Sequence, residues 1–372
     1  MISPDQIKRA AAAAGFDLAG VASVRDEDFP ELAAFPEWIE AGHAGEMKYL
    51  EKRTETGELR RASLKNAVPW ARSVVVCAMN YNPDAPYSTE VHDAQRGWIS
   101  RYAQGRQDYH DSLLARLRQL EAVIKNLAAE HGAEPQTWCY VDTGPVVERV
   151  YAKYAGIGWI GKNTCIINEK QKMGSWIFLG VILTSLELVP DLPAPDRCGT
   201  CTRCIDACPT VALIAPGKMD ARRCIAYLTI EKRGEIPEEF RDDIGHHVFG
   251  CDICQDVCPW NRKAPATTAP EFKVAEELVH PDLQWLAGMS QEDFSKTFRG
   301  SPIKRTKYAG LRRNVAVAMG NSGNAEFIPQ LEKMASEEDE VVAEHARWAL
   351  AKLRTRQHSA ISTQHSATKQ RG

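Results

Sequence analysis

The sequence predicts an α/β or α+β domain, then a small cysteine-rich domain, and then an all-α region at the C-terminal end. In the first half of the chain, apolar strand-like runs alternate with helical patterns, as in layered domains of sheets and helices. Most of the 11 cysteines follow in two dense runs, and the remaining chain shows helical periodicity alone. The expected segments are residues 1–190, 191–265, 278–354 and a disordered polar tail over 355–372.

The elements of the first domain follow from helix caps, apolar runs and helical periodicity. Ser3 followed by Pro4 is typical of a helix start, and apolar runs rich in β-branched residues are typical of buried strands. The expected elements are a helix from Ser3 to Gly15, a basic helix reaching Arg61, strands over 72–79, 137–141 and 175–183, an amphipathic helix over 109–130 and a helix over 146–154.

In the all-α region, two short segments resemble each other. Asn314–Gly320 aligns with His345–Ala351, and another helical segment, 325–335, lies between them. Recurrence of a helical unit at this interval is typical of HEAT-type repeats. We therefore expect a HEAT-like repeat region here.

The composition limits the partners and the compartment. The net charge of −3 gives no overall attraction to nucleic acid, so any such binding requires a local basic patch. The N-terminal residues lack the apolar core of a signal peptide, and the longest apolar run, 176–183, is too short to span a bilayer. We expect a soluble, cytoplasmic protein without a membrane partner.

Two cysteine runs carry the strongest chemical signal. The run at 198–208 reads Cys-x2-Cys-x2-Cys-x3-Cys followed by Pro209, which is the spacing that binds [4Fe–4S] clusters in ferredoxin-like domains. The run at 251–258 has the same pattern with one cysteine missing. Cys224 lies between the runs and completes the eight thiolates that two clusters need. The sequence therefore predicts a ferredoxin-like domain with two [4Fe–4S] clusters.

The spacing also predicts how the ligands divide between the clusters. When the cysteine before the proline binds the other cluster, the two runs exchange their last cysteines. The first set is then Cys198, Cys201, Cys204 and Cys258, and the second set is Cys208, Cys224, Cys251 and Cys254. Zinc is the alternative, but zinc ligands come in pairs without a final Cys-Pro. The scattered Cys77, Cys139 and Cys165 lie in apolar runs typical of a core.

Asp142 is the most suggestive acid of the first domain. It follows a predicted strand, at a place where sheet-and-helix proteins put groups that face a ligand. If Trp138, Tyr140 and Trp159 cover it from solvent, it could donate a proton at neutral pH. The alternative interpretation is a cap of the following helix.

Several segments, taken in order, resemble epoxyqueuosine reductases, a family related to reductive dehalogenases. The segments are Gly45–Leu50, Arg101–Arg106, Tyr140–Arg149, Gly156–Asn163, Ser175–Gly180 and Cys224–Glu231, together with the two cysteine runs. The resemblance covers about residues 1–350. One departure is Gln107, which stands inside the Arg-Asp-Tyr-His expected of the family and weakens any contact assigned to Arg106 or His110.

The resemblance implies an enzyme that reduces epoxyqueuosine to queuosine at the wobble position of tRNA, the last step of queuosine biosynthesis. It implies cobalamin bound without a histidine ligand and fed with electrons through the two clusters. An external low-potential ferredoxin or flavodoxin is the expected donor, and a monomer is the expected state. Asp142 matches the proton donor of the family. The implied cobalamin contacts are Arg61, Tyr102, Asp142, Lys162, Asn163 and Ser175.

A basic run is the expected tRNA-binding surface. No acidic residue occurs between Arg299 and Arg313, and clustered basic side chains can neutralise RNA phosphates. A solvated helix face is the alternative interpretation. The expected tRNA contacts are Lys232, Arg233, Lys304, Arg305, Lys307, Arg312 and Arg313.

Two other functions fit parts of the sequence. A reductive dehalogenase of a small molecule would use the same cofactors, but it predicts an exported chain and needs neither the basic run nor the helical repeat. A ferredoxin-type electron carrier would leave the expected first domain, residues 1–190, without a role.

Overall fold

The computed structural model describes residues 2–25 and 29–369, with side chains described as far as residue 357. The chain divides into two compact units. The first comprises the chain up to Asp84, Gln107–Arg222 and Ile253–Lys273, and the second comprises Ala85–Arg106, Arg223–Asp252 and the chain from Val274 onwards. This division differs from the expected consecutive domains, because each unit is built from separated stretches and the cysteine-rich segment contributes to both.

In the described residues, helices and short strands are mixed as far as residue 249, and only helices follow. The strands are β1 (Leu18–Ser23), β2 (Ser73–Asn80), β3 (Trp98–Ile99), β4 (Thr137–Tyr140), β5 (Trp159–Ile160), β6 (Ile166–Ile167), β7 (Ile177–Thr184), β8 (Leu213–Ala215), β9 (Lys218–Met219) and β10 (His247–Phe249). The helices are α1 (Pro4–Ala13), α2 (Pro30–Glu40), α3 (Leu64–Ala67), α4 (Tyr109–Ala129), α5 (Glu148–Tyr154), α6 (Arg203–Asp206), α7 (Ile225–Ile230), α8 (Glu238–Arg241), α9 (Ile253–Asp256), α10 (Leu283–Gly288), α11 (Gln291–Thr297), α12 (Lys307–Ser322), α13 (Ile328–Met334) and α14 (Glu340–Lys369).

The first unit is built on a four-stranded antiparallel sheet in the order β1-β2-β7-β4. Successive side chains of a strand point to opposite faces, so Val181 and Leu183 of β7 join the core around α5, while Gly180 faces α4. A side chain at Gly180 would meet Leu117 of α4 at 3.0 Å, so that α4 packs closely on this strand. The antiparallel sheet with helices on both faces is an α+β arrangement, one of the two predicted classes.

Most predicted elements of this unit are confirmed. Ser3 caps α1, with its hydroxyl accepting from the Gln6 amide, and the strands and the long helix α4 lie where apolar periodicity placed them. The basic helix reaching Arg61 is wrong. Gly57, in the left-handed conformation, ends a turn in which the Thr54 hydroxyl accepts from the Glu58 amide, and such local bonds compete with helix formation.

The second unit joins a small parallel sheet to a group of helices. Strand β3 pairs with β10, and their side chains enter one core with helices α10 to α14. Helix α12 packs closely on α14, since a side chain at Gly320 would lie 2.8 Å from the Ala349 Cβ. Helix α14 continues to Lys369, whereas the sequence predicted disorder from 355. No glycine or proline interrupts that segment before Gly372, and residues 370–372 lie outside the described part.

Among the helices in the described residues, none is long and apolar enough to cross a membrane.

Candidate functional site

Four predicted cluster ligands lie near one another in the first unit. Cys198, Cys201 and Cys204 stand on α6 or just before it, and Cys258, which follows α9, packs with Cys198 beside Trp159. Burial, together with the nearby Cys198 and Cys204, raises the pKa of the Cys258 thiol to about 11. This neighbourhood fits the first predicted ligand set of one [4Fe–4S] cluster. In residues 2–25 and 29–357, no three His, Cys, Asp or Glu side chains converge as the ligands of a single metal ion would.

The second ligand set is divided between the units. Cys208 and Cys254 belong to the first unit, where α6 packs on α9, while Cys224 and Cys251 belong to the second. The Cys208 sulfur already accepts from the Ala212 amide at 3.3 Å. The composition of this set stays a prediction from spacing.

Three predicted cobalamin contacts are bonded to the cysteine segments. The Lys162 ammonium donates to the carbonyl oxygens of Gly199 at 2.7 Å and Cys201 at 2.9 Å. The Asn163 side-chain amide donates to the Cys254 carbonyl oxygen at 3.2 Å. These bonds fix the loops that carry the thiols, and a cofactor contact by Lys162 and Asn163 stays a prediction.

Ser175, the third of these residues, is buried between β7 and the chain after α9. Its hydroxyl donates to Gln255 Oε1 at 2.9 Å and accepts from the Asn261 side-chain amide at the same distance. The Ser175 amide in turn donates to Asn261 Oδ1 at 2.7 Å. Its hydroxyl and its backbone amide are therefore both bonded within the protein. A contact between Ser175 and cobalamin likewise stays a prediction.

Asp142 follows β4 in the left-handed backbone conformation, with φ of 56°. Such a conformation is uncommon for residues other than glycine, although Asp tolerates it best with Asn, and it often marks functional sites. The side chain is exposed and accepts a hydrogen bond from the Tyr109 hydroxyl. The Tyr109 ring stacks on Phe178 with centroids 4.1 Å apart, so the phenol that holds Asp142 is itself fixed by β7.

The interpretation of Asp142 as a helix cap is wrong. Helix α5 begins at Glu148 with Val147 at the capping position, and Val147 makes no side-chain cap hydrogen bond. The expected cover by tryptophans is also absent from the described residues, because Asp142 is exposed and Trp159 packs against Trp260 instead. Asp142 therefore faces solvent as an accessible carboxyl group.

Glu148, a half-buried acid with one buried carboxyl oxygen, lies near Asp142. Glu148 Oε1 is inaccessible to solvent and has no hydrogen-bond partner among the described residues, and the same holds for the Tyr140 hydroxyl. Burial and the charge of Asp142 together raise the pKa of Glu148 to about 8, and a backbone hydrogen bond, Arg61 and Arg149 oppose the increase. Sequence reasoning did not single out Glu148. Its only local signal is its position among valines 146, 147 and 150.

Arg61 and Tyr102, the remaining predicted cobalamin contacts, lie in different units. Arg61 is half-buried in the first unit and donates to the Val146 carbonyl oxygen at 3.3 Å. Tyr102 packs against the core of the second unit beside Phe249. Of these two residues, Arg61 is the one placed by its contacts near Glu148 and Tyr140.

Five of the predicted tRNA contacts form one surface of the second unit, which we call the basic edge. Its members are Lys232, Arg233, Lys304, Arg305 and Lys307. Arg233 joins the two segments, because its guanidinium donates to the Arg305 carbonyl oxygen at 2.9 Å and the Ile230 carbonyl oxygen at 2.9 Å. The side chains of Arg233, Lys304 and Lys307 are exposed.

The other two predicted tRNA contacts are corrected. Arg312 is buried and bonds the Glu337 carboxylate and the Ala287 carbonyl oxygen. Arg313 is 1% exposed and donates to the carbonyl oxygens of Lys232 and Gly234. Their guanidinium groups hold the second unit together, and Arg313 supports the basic edge from inside.

Comparison with known proteins identifies the family. The model described as a 4Fe-4S double cluster binding domain matches residues 197–261, and the model described as epoxyqueuosine reductase QueG, DUF1730, matches residues 61–143. An epoxyqueuosine reductase of Xanthomonas campestris pv. campestris is 40% identical over 350 residues, covering 93% of this chain and 95% of that protein. The chain belongs to the epoxyqueuosine reductase family. It is therefore an enzyme, an oxidoreductase of that family.

Other epoxyqueuosine reductases agree with this assignment. One from Shewanella oneidensis is 41% identical over 355 residues, covering 94% of this chain and 88% of that protein. A crystal structure of an epoxyqueuosine reductase with a tRNA-Tyr epoxyqueuosine-modified stem loop has a TM-score of 0.81 at 31% identity, covering 94% of this chain and 89% of that chain. The double-cluster segment contains all eight predicted cluster cysteines.

Proposed function

We propose that the chain reduces the epoxide of epoxyqueuosine at the wobble position of tRNA and gives queuosine. The observation that carries this proposal is the pairing of Asp142 with Tyr109 in a member of this family. An accessible carboxyl group, held by a phenol that stacks on Phe178, can approach an epoxide oxygen and protonate it as the carbon–oxygen bond breaks. Tyr109 orients the acid and does not itself react.

Cobalamin and two [4Fe–4S] clusters are the cofactors we propose. When bound, cobalamin would supply a low-valent, nucleophilic cobalt, and the clusters would pass it single electrons from an external low-potential ferredoxin or flavodoxin. The neighbourhood of Cys198, Cys204 and Cys258 suits one cluster. The predicted cobalamin contacts fit a bound corrin only in part. In the first unit, Asp142 and Arg61 keep accessible surface, and these two residues would contact the cofactor.

We also propose that the basic edge binds tRNA phosphates and that the helices behind it form a HEAT-like unit. The exposed ammonium groups of Lys304 and Lys307 stand at the start of α12, where no acid pairs with them among the described residues. The matching segments of α12 and α14 pack against each other through Gly320 and Ala349, as stacked repeats do. We propose a monomer.

Removing both lysines tests the basic edge. The double variant Lys304→Ala/Lys307→Ala should bind the stem-loop roughly tenfold more weakly, and the dependence of log K on log salt should flatten by about 2. Fluorescence anisotropy over a salt series measures both quantities. The matched control is Lys296→Ala/Lys333→Ala, which removes the same charge from exposed positions of α11 and α13. Equal slopes in the two double variants would exclude phosphate contacts at Lys304 and Lys307.

The function itself is tested with reduced holoenzyme and a tRNA anticodon stem-loop that carries epoxyqueuosine. After digestion to nucleosides, mass spectrometry should show loss of one oxygen and appearance of queuosine. An unchanged epoxide with fully loaded enzyme would overturn the proposal. A stem-loop carrying guanosine at the wobble position is the control substrate.

A further inference from the structure

The proposed reaction consumes protons as well as electrons. Converting an epoxide to a double bond releases the oxygen as water and consumes two electrons and two protons. The external donor supplies both electrons. Asp142 is the group that reaches the oxygen, yet it is exposed, and burial, which favours the neutral form of a carboxyl group, is found at Glu148 instead.

Glu148 lies close enough to Asp142 to feel its charge, and it is less exposed than Asp142. It opens α5, directly after the loop that begins with Asp142. Its Oε1 atom is sealed from solvent without a hydrogen-bond partner among the described residues, although the residue as a whole is only half-buried. A backbone hydrogen bond to the Glu148 carboxyl group favours the carboxylate, but a charged carboxylate with its buried Oε1 left unpaired is costly, whereas a neutral carboxyl group is tolerated.

Three charged side chains act on Glu148, each from a different segment of the chain. Asp142 acts on it from the β4–α5 loop, Arg149 from α5 itself, and Arg61 from the segment before α3. The Tyr140 hydroxyl of β4 is the neutral group among these neighbours, and burial, together with the charge of Glu148, raises the pKa of that phenol. Asp142 favours the protonated form of Glu148, and the two arginines stabilise the carboxylate left after a proton departs.

We propose that Glu148 stores the proton that Asp142 delivers to the substrate. This inference rests on the proposed function. As the first carbon–oxygen bond breaks, Asp142 gives a proton to the oxygen and takes the proton of Glu148. The second proton comes from solvent when the resulting hydroxyl group leaves as water, and Glu148 recovers its own proton from solvent after product release. Glu148 acts through Asp142 and does not touch the substrate.

The pH profile of the holoenzyme tests the proton store. Burial holds the pKa of Glu148 near 8, so the single-turnover rate on the epoxyqueuosine stem-loop should be level below that pH and fall above it. Glu148→Gln cannot store a proton, and its rate at pH 7 should be roughly 100-fold lower, with no break near pH 8. Imidazolium buffer should restore that rate in proportion to its concentration, because a small acid can recharge Asp142 from solvent. Glu148→Asp keeps a carboxyl group and should keep part of the rate and the break.

A second readout is independent of turnover. Because its native pKa lies above the ordinary 4.5, native Glu148 keeps a proton that the unfolded chain releases. Its contribution to stability is therefore greatest below about pH 4.5 and is lost as pH rises toward 8. The urea midpoint of the wild type should fall relative to that of Glu148→Gln across this window.

The outcomes separate the two proposals. A loaded wild type that leaves the epoxide intact defeats the proposed function, while the urea comparison still tests the protonation of Glu148. An active wild type whose Glu148→Gln variant shows the same rate, the same pH profile and no response to imidazolium defeats the proton store alone. Parallel urea midpoints for the two proteins would also overturn it. If Glu148→Gln does not fold, a wild-type profile without a break near pH 8 overturns it as well.

Discussion

Asp142→Asn should retain both clusters, the corrin and tRNA affinity, and should lose turnover by ~10²–10⁴-fold, the usual contribution of a positioned general acid. Asn is the right replacement because Asp142 has a positive φ, and Asn, like Asp, adopts that conformation with little strain. The side-chain oxygen of Asn can still accept from Tyr109. The substitution therefore removes the transferable proton and leaves the backbone and the phenol in place. Single-turnover rates, with iron and corrin content measured on the same samples, check this result.

Two control variants give this experiment its resolution. Asp111→Asn changes an exposed carboxyl group on α4 and should leave the rate unchanged. Tyr109→Phe removes the hydroxyl group that holds Asp142 but keeps the ring on Phe178, and we expect a smaller loss of roughly tenfold. Full activity in Asp142→Asn would mean that Asp142 only shapes the turn after β4.

Cys258→Ala should abolish turnover by removing one cluster, and the cluster lost should be the one bound by the first cysteine run. Iron should fall by half, to about four atoms per chain. The physical reason is the position of Cys258 beside Cys198 and Cys204, which lie far from it in sequence. Iron analysis and electron paramagnetic resonance of the reduced protein measure the loss and identify the surviving cluster.

Variants of single cysteines from both runs test whether the runs exchange ligands between the two clusters. Cys201→Ala and Cys258→Ala should leave the same resonance signal, because both remove the first cluster. Cys254→Ala, in the same run as Cys258, should leave the other signal. Cys165→Ala is the control, since this thiol is near Cys258 but belongs to neither set, and its iron content should stay full. Matching signals from Cys254→Ala and Cys258→Ala would show that each run binds its own cluster.

Local patterns in the sequence were sufficient for the cysteine loops and for most elements of the sheet. The spacing of the first run is itself a geometric constraint, and the apolar run of β2 has a strand as its natural outcome. In both cases the signal and the structure lie in the same short segment. The assignment of Cys258 to the first ligand set came instead from the Cys-Pro pattern, which joins distant segments, and it stays a prediction.

The failures concern residues whose surroundings come from distant segments. Arg312 and Arg313 belong to a basic run, but their guanidinium groups donate hydrogen bonds to carbonyl oxygens of other helices and loops. Their charge alone could not show that they are buried. Asp142 is hydrogen-bonded to Tyr109 of the distant helix α4. The following helix, α5, begins only at Glu148, too far along the chain for Asp142 to cap it. Glu148 was hidden for the same reason, since burial of a carboxyl group depends on packing that one segment does not encode.

The pairing of β3 with β10 has a consequence for synthesis. Strand β3 leaves the ribosome early, but its partner His247–Phe249 follows only after the whole of Gln107–Arg222 has been made. The second unit therefore has no complete core while the first half of the chain is being translated. During that time the edge of β3 is unpaired, and unpaired strand edges are prone to aggregation. The first unit is likewise incomplete until Ile253–Lys273 has been made. An excised cysteine-rich fragment would carry β10 without β3, and we expect it to be less stable than the same segment in the full chain.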